Sequence, residues 1–364
     1  MSSTGHVVVG LSGGVDSAVA ALLLRQRGWQ VTAVFMKNWE EDDKADYCAA
    51  AEDLKDARAV AEKLDIPLHT INFSSEYWDR VFSLFLAEYR AFRTPNPDVL
   101  CNREIKFRAF LEHAIALGAD AIATGHYARV VKDDKACHLL RCKDENKDQT
   151  YFLYQLDQSQ LRHTLFPLAD LSKPEVRELA REAGLPNFER KDSTGICFIG
   201  EHRFREFLSR FLPASPGGIH TEDGRAIGTH QGLMYYTLGQ RQGLGIGGVA
   251  GASEAPWFVI RKDIPANRLI VAQGHDHPAL LSRCLRASQL HWIQGEVPPA
   301  GAPLLARIRH RQPLCACRIE QHAPDGCIIA FDQPQRAATP GQSIVFYRDR
   351  ECLGGGIIEE GYNP

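Results

Sequence analysis

The chain lacks the marks of export and of membrane insertion. Met1 to Gly10 carry no basic stretch followed by a long apolar core, and no later run approaches the roughly 20 apolar residues that a membrane span needs. A soluble chain working in the cytoplasm is expected. Cys-x-x-Cys spacing, the usual sign of structural zinc, is absent as well. The nearest approaches are Cys315-Ala-Cys317 and Cys137 with Cys142, whose alternating polar and apolar neighbours suit strand packing better. The ten cysteines are scattered, unlike the dense framework of a small secreted domain, so reduced thiols are expected, a few of them doing chemistry. An excess of one charge is missing: a net -3 argues against a chain coated in nucleic acid, while leaving room for local basic patches. Internal repeats and low-complexity segments are missing too.

What is present exceeds one core, because 364 residues is beyond the size at which single cores stop growing. Strand and helix signals alternate through the first half, the pattern of a parallel α/β sheet. Strands are expected at His6 to Leu11, Val31 to Met36, Leu68 to Phe73 and Ala119 to Thr124. Helices are expected at Ser17 to Arg27, closed by Gly28, and at Cys48 to Leu64, Glu76 to Phe92, Glu104 to Leu117, Lys173 to Ala183 and Glu201 to Phe211. The last carries one apolar stripe of Phe204, Phe207, Leu208 and Phe211. After Pro213 glycine and proline become frequent, and short alternating segments such as Leu304 to His310 and Cys327 to Phe331 replace helical periodicity. The spacing predicts an α/β domain over 1–212, a small central β-rich domain over 213–270 and a C-terminal β-barrel over 271–364.

Between the first strand and the first helix lies Gly10-Leu11-Ser12-Gly13-Gly14-Val15-Asp16-Ser17. Its amides and the positive helix end can surround an anion; the glycines allow close approach and the serines add hydroxyl donors. No Gly-Lys-Ser/Thr ending follows, so this is not the loop of kinases and GTPases. It resembles the Ser-Gly-Gly-x-Asp-Ser loop of the ATP pyrophosphatases, the PP-loop enzymes with an adenine nucleotide alpha hydrolase-like fold, which cleave ATP between the α and β phosphates. Asp16 is placed to hold Mg²⁺, a hard ion that prefers carboxylate and phosphate oxygen. The plainer alternative is an ordinary glycine turn.

Two cysteines stand in chemically suggestive settings. In Thr94-Pro-Asn-Pro-Asp-Val-Leu-Cys-Asn-Arg-Glu-Ile-Lys-Phe107 the prolines stiffen a loop before a helix start. Cys101 then sits near the positive helix end with Arg103 and Lys106 nearby, a setting that favours thiolate. Asp98, three residues earlier, is an acid/base candidate or simply a helix cap. In Ser193-Thr-Gly-Ile-Cys-Phe-Ile-Gly200, Cys197 lies between glycines in a segment that can serve a sulfur carrier, or it is buried packing.

These blocks, with Gly125-His-Tyr127, Lys147-Asp-Gln-Thr-Tyr151 and Tyr236-Thr-Leu-Gly-Gln-Arg-Gln-Gly243, resemble in order and over nearly the full length the bacterial tRNA-specific 2-thiouridylase family, MnmA/TrmU. The resemblance implies an enzyme that adenylates the 2-oxygen of the wobble uridine (U34) with ATP and replaces it with sulfur from a cysteine persulfide. It implies Cys101 as nucleophile, Cys197 as the persulfide-bearing residue, a transient disulfide between the two, and Asp98 as acid/base. For ATP it implies Gly10 to Ser17, Met36 and Gly125. For tRNA it implies Asn96, Pro97 and Asp98 around the turned-out base, then His126, Lys147, Asp148, Gln149, Arg309, His310 and Gln342. The partners implied are the anticodon stem-loop and an upstream persulfide carrier protein.

Read without the resemblance, Arg307, Arg309 and Arg311 alternate, so on a strand they form a basic stripe able to follow phosphates, or simply a solvated face. Two other functions compete. One is an ATP pyrophosphatase that serves an amine nucleophile; the other is a noncatalytic RNA-binding protein with a nucleotide pocket.

Overall fold

The computed structural model describes residues 5–40, 49–192, 204–247, 251 and 253–364. Strand β1 (His6–Gly10) is a valine run buried on both faces, as a central parallel strand must be. Helix α1 (Val15–Gln26) follows at once and stops where Gly28 takes a positive φ of 85°. Next come β2 (Gln30–Lys37), α2 (Ala49–Leu64) and β3 (Leu68–Asn72). Two long helices follow: α3 over residues 74–90 and α4 over residues 97–116, each interrupted by a π-helical stretch. Strand β4 (Ala121–Ala123) ends this half of the sheet.

Helix α4 begins at Pro97 and not at Glu104 as the sequence suggested. Proline at the first helical position needs no N–H partner and arrives with a helical φ, so Pro97 opens the helix itself and is not part of a stiff loop ahead of it. Its π segment, Asn102–Ala109, directly follows Cys101. Such stretches recur at functional sites.

A hairpin, β5 (Arg129–Lys132) and β6 (Cys137–Leu140), then leaves the sheet, and α5 (Gln158–Arg162) leads to β7 (Thr164–Leu165). The sheet has the order β3-β2-β1-β4-β7, all parallel. The connections diverge on either side of β1 and β4, opening a crevice at their carboxyl ends, where ligands of doubly wound sheets bind. Helix α6 (Lys173–Glu182) and the short α7 (Phe204–Ser209) complete this half. The expected stripe on α7 packs on α3, with Phe207 against Phe82 and Phe204 against Tyr89 at ring separations of 5.8 and 5.6 Å.

The tail is built of strands, as expected. β8 (Gly217–Thr221), β9 (Ala226–His230), β10 (Trp257–Asp263) and β11 (Arg268–Gln273) form one sheet in the order β10-β11-β8-β9. The remaining strands are β12 (Leu281–Trp292), β13 (Leu304–Arg307), β14 (Cys315–Ala323), β15 (Gly326–Arg336), β16 (Ser343–Arg348) and β17 (Glu351–Tyr362). They run β12-β15-β14-β13-β16-β17, and β17 pairs back with β12 to close an antiparallel barrel. The β5–β6 hairpin extends this second sheet through pairing of Leu139 and Leu140 with Cys352 and Glu351. Four-residue strands around a charged turn carry too little periodicity for the sequence to reveal them.

Alternation along β1 splits the core. Val7 and Val9 face α1, α2 and α6, whereas Val8 faces a second cluster that runs through α3 and α4 to Tyr154, Leu233 and Val345 in the tail. Among the described residues no helix is long and apolar enough to cross a membrane.

Candidate active site

The phosphate loop lies in the crevice. Leu11 and Val15 are buried anchors, while Ser12 between them is exposed. Gly13 has φ +80°, and a Cβ there would stand 2.4 Å from Asp53 O. The first turn of α1 has no side-chain cap. The Ser17 hydroxyl turns back to Gly14 O at 3.0 Å and accepts from Ser12 N at 3.2 Å, which shapes the loop while leaving helix amides for an anion. Asn187 Nδ2 donates to Gly13 O at 2.7 Å from below. Met36 on β2 covers Gly10, its Cε 3.0 Å from where a Cβ would be. Gly125, after β4, packs so closely that a Cβ would stand 2.6 Å from Ser17 N and 2.7 Å from Asp16 C. The residues expected at ATP, Gly10 to Ser17, Met36 and Gly125, thus stand together around the loop, with Leu11 and Val15 beneath it.

Beside it lies a charged network that sequence reasoning missed. Asp16 Oδ1 accepts from Lys173 Nζ at 2.7 Å and from the Tyr127 hydroxyl at 2.8 Å. The same ammonium lies 2.8 Å from Asp192 Oδ1, which also pairs with Arg177, while Lys147 Nζ takes Asp192 Oδ2 at 2.7 Å. Burial opposes ionisation of Asp192, but the hydrogen bonds from Lys147 and Lys173 win and bring it to about 2. Burial, then the Asp16 charge, push the Tyr127 phenol up. The sequence carries only part of the signal: a Ser172–Glu175 capping box fixes the start of α6 at Lys173, and Asp192 immediately precedes Ser193, but neither points to Asp16.

Asp16 keeps Oδ2 without a hydrogen-bond partner among the described residues, one oxygen for a phosphate-borne Mg²⁺. The described residues contain no cluster of three metal-ligating side chains. Such an ion fits here only if phosphates and water complete its shell, the usual arrangement for Mg²⁺.

The cysteine loop sits at a junction. Asp98 and Cys101 occupy the first helical turn of α4, three residues apart and so on one face, with Asp98 half-buried and Cys101 buried. The loop before them is held from three sides. Thr94 N donates to Pro340 O at 2.9 Å, and Gln342 Nε2 donates to Thr94 O at 2.9 Å and Pro95 O at 3.2 Å. Thr94 and Thr237 share a hydroxyl contact of 3.2 Å. Arg93 pairs with Glu88 and Glu359 at 2.7 and 2.5 Å. Asn96 and Pro97, the helix cap and first turn, are thereby fixed against the barrel. Cys197, and with it the expected disulfide, lies outside the described residues, as does Cys48.

The remaining residues assigned to tRNA divide. His126 Nδ1 lies 2.8 Å from Thr124 Oγ1, its ring tilted 5.6 Å from Phe107 on α4; burial, then the Lys106 ammonium, hold it well below its ordinary range and hence neutral. Gln149 brackets Tyr127 with two backbone-directed bonds of 2.9 Å. Asp148 does not fit the role. Its side chain is fully buried, bonded to Thr150 at 3.0 Å and paired with Arg307 at 3.2 Å, so it joins the α/β half to the barrel and does not face a ligand. The basic stripe is also corrected. β13 ends at Arg307, which is itself buried, so the three arginines do not share a strand face. Arg309 donates to Leu238 O at 2.9 Å and Thr339 Oγ1 at 3.1 Å, and His310 donates to Asp148 O at 3.1 Å and packs 4.4 Å from Phe152. Gln342 reaches the site through the Thr94 backbone, as above.

Comparison with known proteins gives three family matches along the chain. Residues 5–201 match the tRNA methyl transferase HUP domain, 205–273 the tRNA methyl transferase PRC-barrel domain and 282–358 the aminomethyltransferase beta-barrel domain. The chain is 61% identical to the tRNA-specific 2-thiouridylase MnmA of Nitrosomonas europaea, covering 97% of this chain and 98% of that protein. It is 60% identical to the protein of the same name from Nitrosomonas eutropha, with 98% of each covered, and 59% identical to that of Alcanivorax borkumensis, with 98% and 97% covered.

Proposed function

The chain belongs to the tRNA-specific 2-thiouridylase family, and from that premise and the geometry of its crevice we propose that it thiolates the wobble uridine of tRNA at the expense of ATP. The observation that carries the reading is the meeting of the uncapped loop Gly10 to Ser17 with the glycine turn at Gly125, a surface shaped for a nucleotide polyphosphate.

In the first step the uridine 2-oxygen attacks the α-phosphorus of ATP. An O–P bond forms, the α–β bridging bond breaks, and diphosphate leaves with the electron pair, its charge met by loop amides. Mg²⁺ held between Asp16 and the phosphates would neutralise part of that charge. In the second step the terminal sulfur of a persulfide on Cys197, loaded by an upstream carrier protein, attacks carbon 2. The C–O bond breaks and AMP departs. Cys101 then attacks the inner sulfur of the Cys197 adduct, releasing 2-thiouridine and leaving a Cys101–Cys197 disulfide for an external thiol to reduce. Asp98, on the Cys101 face of α4, is the acid/base group, and Asn96 and Pro97 border the turned-out base. Lys147, Gln149 and His126 line the tRNA side, while Arg309, His310 and Gln342 act through the backbone they hold. The enzyme works in the cytoplasm.

The test is mass spectrometry of nucleosides from tRNA incubated with the chain, ATP and a sulfur source. 2-Thiouridine should form with wild type, and Cys197→Ser should still release diphosphate from ATP with tRNA while forming none. Full thiolation by Cys197→Ser overturns the carrier assignment; loss of AMP release in the wild type overturns the reaction.

A further inference from the structure

The phosphate loop has no cation of its own. From Gly10 to Ser17 there is neither lysine nor arginine, yet a nucleotide polyphosphate brings several negative charges. Loop amides alone leave much of that charge uncompensated in a partly desolvated crevice.

The cation comes from another element. Among the described residues Lys173 is the one cationic side chain bonded to Asp16, with its ammonium 2.7 Å from Oδ1 and its side chain only 10% exposed. It is built in rigidly. Its backbone amide donates to Asp144 Oδ2 at 2.9 Å, Pro174 follows it, and the Ser172–Glu175 capping box fixes the turn. Its charge is also not matched one to one. Lys173 shares Asp192 with Lys147 and Arg177, so three cations meet two carboxylates, while the Asp144 carboxylate accepts from the backbone amides of Lys173 and Asn146.

We propose that Lys173 is the polyphosphate-binding cation of this site: its ammonium holds the β and γ phosphates of ATP and then the departing diphosphate, exchanging part of its hold on Asp16 and Asp192 for phosphate oxygen. It is a positioning residue for the adenylation step, and the assignment rests on the ATP-dependent reading above. Where a Gly-Lys-Ser/Thr loop carries its lysine within the loop, this fold delivers one from a helix 157 residues away in sequence. No covalent change at Lys173 is involved.

Calorimetric titration of the full chain with inorganic diphosphate, ATP and AMP in the same buffer separates the possibilities, with circular dichroism confirming that each variant is folded. Lys173→Met should lose about 10- to 100-fold in affinity for diphosphate and ATP, as expected for a lost charge-assisted bond. AMP, which lacks the β and γ groups, should bind within about twofold of wild type, and Lys173→Arg should regain part of the diphosphate affinity. Diphosphate bound by Lys173→Met as tightly as by wild type overturns the assignment. So does an equal loss for all three ligands, which marks a merely structural role. A wild-type chain that binds none of them overturns the adenylation reading, and this assignment with it.

Discussion

Gln342, on the turn before β16, holds the backbone of Thr94 through a 2.9 Å hydrogen bond that spans 248 residues of sequence. The barrel thereby sets the approach of the loop that opens α4 and carries Asp98 and Cys101. Gln342→Ala removes two such bonds, each contributing about 0.5–1.5 kcal/mol. The expected result is a fall of about tenfold in kcat for thiolation, because small misplacements at a reacting centre are costly, with ATP affinity within about twofold of wild type. Steady-state kinetics with tRNA varied checks this; an unchanged kcat removes Gln342 from the positioning of the loop.

Gly125 admits no side chain. The nearest atoms a Cβ would meet are the backbone of Ser17 and Asp16, with the Asp16 Cβ behind them, and these cannot move without distorting the loop. Gly125→Ala should weaken ATP binding by more than about 30-fold and destabilise the chain by about 1–3 kcal/mol, the range for overpacking. Gly247, where among the described residues beyond its chain neighbours nothing lies within 4 Å of an added Cβ, serves as control, and Gly247→Ala should leave both quantities near wild type. Calorimetry and thermal melting give the comparison.

Asp148 is paired with Arg307 at a buried junction, with side-chain exposures of 0% and 6%. Asp148→Asn leaves Arg307 charged and unmatched, which costs about 3–5 kcal/mol. Urea unfolding should show that loss. At a temperature where the variant stays folded, its tRNA affinity should match wild type. A selective loss of tRNA affinity without a stability change would restore the direct contact that the family resemblance assigned.

His138 lies between Glu351 at 2.7 Å and Asp133 at 2.8 Å, and the hydrogen bond to Glu351, then that to Asp133, raise its pKa. A raised pKa in the folded state stabilises fully below the unfolded value of about 6.5 and fades as pH climbs through the folded value. The melting temperature of wild type should therefore exceed that of His138→Gln by more at pH 6 than at pH 9. A gap that stays constant or widens with pH contradicts the pairing.

How legible the molecule was follows from how local each signal is. The valine run at β1, the stop at Gly28 and the glycines of the phosphate loop act over a few residues, and their spacing reveals strand, turn and helix. In the motif around Cys101 the prolines marked a helix start, although the role of Pro97 as helix opener moved that start to residue 97. Lys173 and Asp16 are joined across 157 residues, and nothing near either announces the other. The arginine alternation at 307, 309 and 311 misled for a related reason: the period was right for a strand, but β13 ends at Arg307, whose guanidinium turns inward to a carboxylate from the other half of the chain.

The β5–β6 ribbon bears on the order in which the molecule can assemble. His138 and its partner Glu351 are 213 residues apart, and the strand that receives the ribbon also closes the barrel. During synthesis the ribbon leaves the ribosome with an open edge, a template for wrong partners until β17 arrives. Locking of the catalytic half onto the barrel thus waits on a strand made some 213 residues after His138, and a chain cut short before Glu351 would keep its nucleotide loop while losing the strand that both receives the ribbon and closes the barrel.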